Sequence, residues 1–176
     1  MNIRTISLTA ALLVAGTFIA AAQGQRIGYV NSAKIFQEFP AAKDAQKKID
    51  AIRKPMQDSL EAMQRDLQSR YEEYQRKEAL YNDATKKAEQ QKLIDQERVV
   101  NEYRQNKFGQ DGDFATETEK ILNPVREKIK SAISVVAKEE RYNFVFDKTD
   151  QIQILLYGDP KDDITYKVID KLNRGK

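Results

Sequence analysis

Apolar positions between residues 40 and 140 recur every eleven residues on two separate stretches. On the first stretch Ile49, Leu60 and Tyr71 form one row. Ile52, Met63 and Tyr74 form a second, and Ala45, Met56 and Leu67 a third. The steps run 3-4-4, not the 3-4 of a heptad. Eleven residues over three turns is about 3.67 per turn, just above the α-helical 3.6, so this seam holds one face of a nearly straight helix. On the second stretch Tyr103, Phe114, Val125 and Val136 are eleven apart, with Val100, Asp111, Leu122 and Ile133 as a neighbouring row. Residues 80–91 between the stretches carry hardly any large apolar side chain. The pattern predicts a long helical hairpin over residues 40–125 with its tip near 80–86. About 40 residues per arm at 1.5 Å rise projects ~60 Å.

Local chemistry supports the helices. Asp44/Lys48, Asp50/Lys54, Glu61/Arg65, Asp66/Arg70, Glu72/Arg76 and Glu73/Lys77 are i,i+4 pairs in the favourable order, each contributing a few tenths of a kcal/mol. Asn82-Asp83 is the best turn candidate between the arms. Pro55 removes one backbone bond inside the first arm and predicts a bend. Gly109 and Gly112 each cost up to about 1 kcal/mol in a helix interior. They predict a kink, and a hinge is compatible with it. Asn123-Pro124 is a further defect and a candidate start for the helix that runs to about Arg141.

The two ends of the chain read as a small body. Arg26-Ile27-Gly28-Tyr29-Val30 is a short β-prone run that ends at the helix caps Asn31-Ser32. A short helix follows to Phe39, and Pro40 can open the next one. Tyr142-Asn143-Phe144-Val145-Phe146-Asp147 alternates with period two, as does Ile152-Gln153-Ile154, which predicts an antiparallel hairpin joined by residues 148–151. Asp162 or Asp163 then caps a last helix with Ile164, Val168, Ile169 and Leu172 on one face. The expected fold is mainly α with a small antiparallel β body and a projecting helical hairpin. Three short strands leave two unpaired edges and a thin core. Ile27, Tyr29, Val30, Phe144, Phe146, Ile154 and Leu156 are more apolar surface than such a sheet buries alone. The strands therefore predict a homo-oligomer, whose copy number does not follow from these residues.

The first residues read differently from the rest. Arg4 precedes the apolar and small run 6–22, and Ala20-Ala21-Ala22 fits the small-x-small rule for cleavage. Residues 1–22 are thus expected to be a cleaved export leader, with a mature start near Gln23 and body over 23–39 and 126–176. Removing Arg4 from the 30 basic residues leaves 29 against 27 acidic ones, a formal charge of +2. That near balance argues against a nucleic-acid partner, which calls for a basic excess on one face.

Catalytic chemistry has little to work with. The chain has no Cys and no His, so disulfides and the commonest bases, nucleophiles and zinc ligands are missing. No phosphate-cradling G-x-x-x-x-G-K run occurs. Asp111-Gly112-Asp113 opens like a calcium loop, but Ala115 and Leu122 stand where oxygen donors are needed. Asp159, Asp162 and Asp163 read as turn and cap residues. No enzyme, metal or cofactor is expected.

The arms do offer a surface. Lys and Arg interleave with aromatics at Tyr71, Tyr74, Tyr81, Lys86, Lys87, Tyr103 and Phe108. These are the candidate contacts for binding many apolar segments, because aromatics with long flexible cations make an adaptable surface. Tyr71, Tyr74 and Tyr103 lie on the eleven-residue rows and read as seam residues first. Tyr81 and Phe108 fall off the rows and read as exposed contacts. Pro55, Gly109, Gly112 and Pro124 are the candidate hinge positions.

Taken together, the chain resembles the Skp/OmpH family of periplasmic chaperones. The resemblance is carried by the leader, Ile27-Gly28-Tyr29-Val30-Asn31 with Ile35-Phe36, the charged hairpin, and Asn123-Pro124-Val125 with Ala132. Val136-Ala137-Lys138-Glu139, Tyr142-Asn143-Phe144-Val145-Phe146-Asp147 and Asp163-Ile164-Thr165 complete it. It implies a homotrimer with a β-barrel-like body and three helical tentacles around a cavity. It also implies an ATP-independent holdase for unfolded outer-membrane proteins, and contact with lipopolysaccharide or a membrane surface in some members. Pro55 and the Gly109/Gly112 pair are not part of the resemblance. A non-catalytic coiled-coil spacer or adaptor of the envelope is the alternative.

Overall fold

The computed structural model describes residues 24–149 and 155–175. The expected leader and the expected strand at 152–154, including Ile154, lie outside the described residues. Strand β1 spans Ile27–Val30. Asn31 then accepts a hydrogen bond from the Lys34 N–H at 2.9 Å and starts helix α1, Ser32–Glu38. Phe39 turns extended, and Pro40 opens helix α2, Pro40–Lys77, where its missing N–H has no helical partner to lose. The 38 residues of α2 make a rod of about 57 Å.

A single 3₁₀ turn, Glu78–Leu80, reverses the chain. Asn82 accepts from the Thr85 N–H at 2.8 Å and caps helix α3, Asp83–Phe108. Helix α4, Asp113–Glu139, follows after a break. Strand β2 is Phe144–Asp147. Helix α5, Thr165–Arg174, ends the described chain. Asp163 bonds the Thr165 N–H at 2.9 Å at its start, while Asp162 takes the Tyr142 hydroxyl at 2.9 Å.

The seam of α2 follows the 3-4-4 steps. Ala45, Ile49, Ile52, Met56, Leu60, Met63 and Leu67 are all buried or half-buried. The return limb departs from the expected single eleven-residue period. In α3 a covered row runs through Lys86, Glu89, Leu93, Gln96, Val100, Tyr103 and Lys107, which step by 3 and 4 as a heptad. The eleven-residue spacing from Tyr103 to Phe114 crosses residues that are not helical, so it carries no helical phase. Steps of 4, 4 and 3 begin only in α4, at Phe114, Thr118, Leu122, Val125, Ile129, Ile133 and Val136.

One proline expectation also changes. Helix α4 does not start at Pro124 but runs straight through it. A mid-helix proline costs about 3 kcal/mol. The stripe Val125, Ile129, Ala132 and Val136 is buried around it, and each large apolar side chain so covered stabilises by about 1.5–3 kcal/mol. The stripe therefore outweighs the defect, and Pro124 itself is exposed. Pro55 lies inside helix α2, as its place in the first arm predicts, and its carbonyl accepts from the Ser59 hydroxyl at 2.8 Å.

The expected antiparallel hairpin with 152–154 lies outside the described residues, and the sheet within them is parallel. Strands β1 and β2 pair in parallel, with Ile27 opposite Phe144 and Val30 opposite Asp147. Parallel pairing needs a long crossover, and here the whole hairpin supplies it. Its direction is set at the start of β1. The Arg26 N–H donates to Asn143 Oδ1 at 2.9 Å, and the Arg26 guanidinium donates to the Glu140 carbonyl at 2.8 Å. The other edge of β1 is met by the segment at Asp163, with the Ile164 N–H donating to the Tyr29 carbonyl at 3.0 Å.

The core sits where α1, the base of α2, the second half of α4 and α5 meet beneath the sheet. Val30, Ile35, Ala42, Ile129, Val136 and Val168 belong to it. Above that level the arm is only two helices thick.

Candidate interaction surfaces

The parallel register decides what the sheet shows to the outside. Ile27 and Tyr29 share one face with Phe144 and Phe146. Ile27, Phe144 and Phe146 are exposed, Phe144 by half. Val30 points the other way, into the core. Tyr29 is buried although it lies on the outer face. Gly158 packs on its ring so closely that a Cβ there would come within 2.4 Å, and Lys148 lies 5.1 Å from the ring centroid. Burial first, and then Asp163, Asp159 and Asp162, push the Tyr29 hydroxyl pKa up. Leu156, in the loop that brings in Gly158, is 84% exposed. Of the seven body positions, Ile27, Phe144, Phe146 and Leu156 thus form exposed apolar surface. Tyr29 and Val30 support it from within.

The arm tip is closed by polar contacts. The Tyr74 hydroxyl donates to Glu78 at 3.3 Å and accepts from Gln90 Nε2 at 2.9 Å. Lys86 pairs with Glu78 at 2.7 Å, and the Tyr81 ring lies 6.1 Å from that of Tyr74. The hydrogen bond from Lys86 holds the Glu78 carboxyl below its usual range, and Glu78 raises Lys86 in return. Tyr81, expected to be exposed, is half-buried here. Tyr71 departs the other way. It lies on an eleven-residue row yet is 49% exposed. Lys87 is exposed.

Lower on the arm, the Tyr103 hydroxyl reaches the Met56 carbonyl at 3.4 Å. Phe108 is half-buried against Phe114, ring centroids 6.0 Å apart. The seven arm candidates therefore divide into a tip cluster, a seam residue, an aromatic pair at the break, and the free positions Tyr71 and Lys87. Leu80, Ile94 and Val99 are exposed apolar side chains on the same arm that a pattern of aromatics mixed with cations does not pick out. Ile94 and Val99 stand one place off the heptad seam, which is the signal that would have found them.

The candidate hinge positions are partly brought together. Met56 touches Tyr103, before the break, and the Arg53 guanidinium lies 4.9 Å from the Phe114 ring, after it. Pro55 therefore stands level with residues 109–112. The break is a tight turn. The Gly109 N–H closes on the Gln105 carbonyl at 2.9 Å. A Cβ on Gly109 would sit 2.4 Å from that oxygen, and one on Gly112 would sit 2.9 Å from the Asn106 carbonyl. Pro124 lies lower, beside a cleft lined also by Ala41, Ala45 and Lys128.

A family model described as outer membrane protein (OmpH-like) matches residues 26–172. The chain belongs to the OmpH-like family. Its relatives include the chaperone protein Skp of Yersinia enterocolitica, 26% identical over 150 residues that cover 85% of this chain and 87% of that one. The chaperone protein Skp of Photorhabdus luminescens is 29% identical over 137 residues, covering 76% and 80% of the two chains. Among solved structures, a Caulobacter crescentus protein described as OmpH-like superposes with a TM-score of 0.66 over 89% of this chain and 88% of that one. Sequence identity there is 13%, so that likeness concerns the fold. The family resemblance carried by residues 27–31 and 142–147 thus extends over most of this OmpH-like chain.

Proposed function

We propose that this OmpH-like protein is an ATP-independent holdase of the periplasm that keeps unfolded outer-membrane proteins from aggregating. The observation that carries the reading is the family match over residues 26–172 together with relatives named as chaperones. The architecture suits it. A rod of 38 residues and its return limb stand out from a small packed body, and Leu80, Ile94 and Tyr71 present apolar surface along that arm.

In this reading residues 1–22 are a leader removed on export. Three copies join through Ile27, Phe144, Phe146 and Leu156, and their arms enclose the client. Tyr71, Lys87, Leu80 and Ile94 make the first contacts, with Tyr81 and Phe108 available where the arm opens. Exposed apolar side chains beside mobile cations hold many sequences weakly, which suits a client without fixed shape.

Native mass spectrometry of the mature protein, alone and after dilution of an unfolded outer-membrane β-barrel into it, tests the proposal. The expected species are a trimer and a trimer carrying client. A monomer, or an oligomer that never carries client, contradicts it.

A further inference from the structure

The body holds a cationic cleft that the chaperone reading does not use. It encloses about 640 Å³ and is lined by Gly24, Arg26, Lys138, Arg141, Tyr142 and Asn143. It lies where the end of α4 meets the start of β1, at the opposite end of the return limb from the arm tip. Among the described residues no carboxylate pairs with Arg26, Lys138 or Arg141. The carboxylates next to them in sequence are turned away. Glu139 bonds Lys171 at 2.7 Å and Glu140 bonds Lys167 at 2.6 Å, both on α5. The end of α4 thus sorts its charges, with glutamates toward α5 and cations toward the cleft.

A helix C-terminus attracts cations by itself, and Lys138 needs no other explanation. Arg141 does. Its φ is 60°, in the left-handed region. The Tyr142 N–H closes on the Ala137 carbonyl at 2.8 Å and the Arg141 N–H on the Lys138 carbonyl at 3.2 Å. Residue 141 therefore occupies the position that glycine usually takes at a helix end. A side chain there is strained, and glycine would relieve it. A long cation is kept instead, and strain of that kind points toward a use for the side chain. Arg26 is held beside it, its guanidinium bonded to the Glu140 carbonyl and lying 4.6 Å from the Tyr142 ring centroid.

We infer that this cleft binds a phosphate group, with Arg141 as the cation that decides affinity and Arg26 and Lys138 completing the site. Two guanidinium forks and an ammonium match the several oxygens and multiple charge of a phosphate better than a single carboxylate. The phosphate can be free or can belong to a lipid headgroup. The site stands on the body, apart from the arm surface assigned to clients, and does not depend on that assignment.

The test uses the full mature protein and its Arg141→Gly variant. Glycine suits the left-handed backbone, so the variant should melt at the same temperature or higher. Amide NMR titration with inorganic pyrophosphate should give saturable shifts at Arg26 and Asn143. The variant should bind about tenfold more weakly, the size of one charge-assisted hydrogen bond. Co-sedimentation with phosphatidylglycerol vesicles, against phosphatidylcholine alone, separates the sources. Loss of vesicle binding in the variant assigns a lipid phosphate, and pyrophosphate binding without vesicle binding assigns a soluble one. Absence of saturable shifts, or a variant that binds pyrophosphate like the parent, overturns the inference.

Discussion

Lys107 pairs with Asp113 across the four residues where the return limb stops being helical. The pairing raises the Lys107 pKa through the Asp113 hydrogen bond. It spans the turn at Gly109 and Gly112, and Pro55 stands at the same level on α2. If this level is where the arm bends, the ion pair is its latch. Asp113→Asn should broaden the distance distribution between spin labels placed at the tip and the base of the arm, with little change in melting temperature. An unchanged distribution removes the hinge proposal. High salt should act in the same direction as the substitution, because an exposed pair is screened.

Gly109→Ala tests the turn rather than the hinge. The added Cβ would meet the Gln105 carbonyl at 2.4 Å, and backbone does not yield as a side-chain end does. The variant should lose helicity on both sides of the break and melt lower, as read by circular dichroism. A Gly109→Ala variant with unchanged melting contradicts the tight-turn account.

The tip clasp should respond to pH in a definite window. Glu78 is lowered by Lys86, so its contribution is present above the unfolded glutamate pKa of about 4.3 and lost as pH falls through the lower folded value. Lys86 is raised, so its contribution is complete below the unfolded lysine value of about 10.4 and lost as pH rises through the folded one. Amide exchange at residues 78–86 should be slowest relative to its intrinsic rate between those limits. Lys86→Gln should remove the acid-side change. A protection profile that ignores both pH and the substitution would contradict the clasp.

Much of the fold was legible for a simple reason. In α2 the covered side chains from Ala45 to Leu67 are themselves apolar, so hydropathy reports the seam. Asn82 announces its helix by its own side chain. In α3 the covered positions include Lys86, Glu89, Gln96 and Lys107, whose stems are covered while their heads stay polar. Hydropathy cannot report such a seam, so the heptad is invisible to it. The strand direction depends on Arg26 meeting Glu140 and Asn143, residues more than a hundred positions away, which no local pattern encodes. Pro124 shows a local rule overruled by burial around it. Among the surface candidates, Tyr81 and Phe108 left the seam rows but found aromatic partners in Tyr74 and Phe114, and only the packed chain reveals that.

The body core and the proposed trimer face should separate cleanly in mutagenesis. Ile35 is fully buried, and Ile35→Ala should cost about 2–5 kcal/mol of stability, measured by urea unfolding. Phe144→Ser with Phe146→Ser removes exposed apolar surface instead. It should lower the native mass while leaving helical circular dichroism intact. An unchanged mass would move the subunit contact away from this face.

The central claim is that the chain holds unfolded clients on its arms without nucleotide. Light scattering of an unfolded outer-membrane β-barrel diluted into ATP-free buffer measures this most directly. The intact protein should suppress the scattering at a few-fold molar excess. The combined variant Tyr71→Ser, Leu80→Ser and Ile94→Ser, on the same oligomer, should suppress it markedly less. Aggregation that proceeds at the same rate with and without the intact protein contradicts the account.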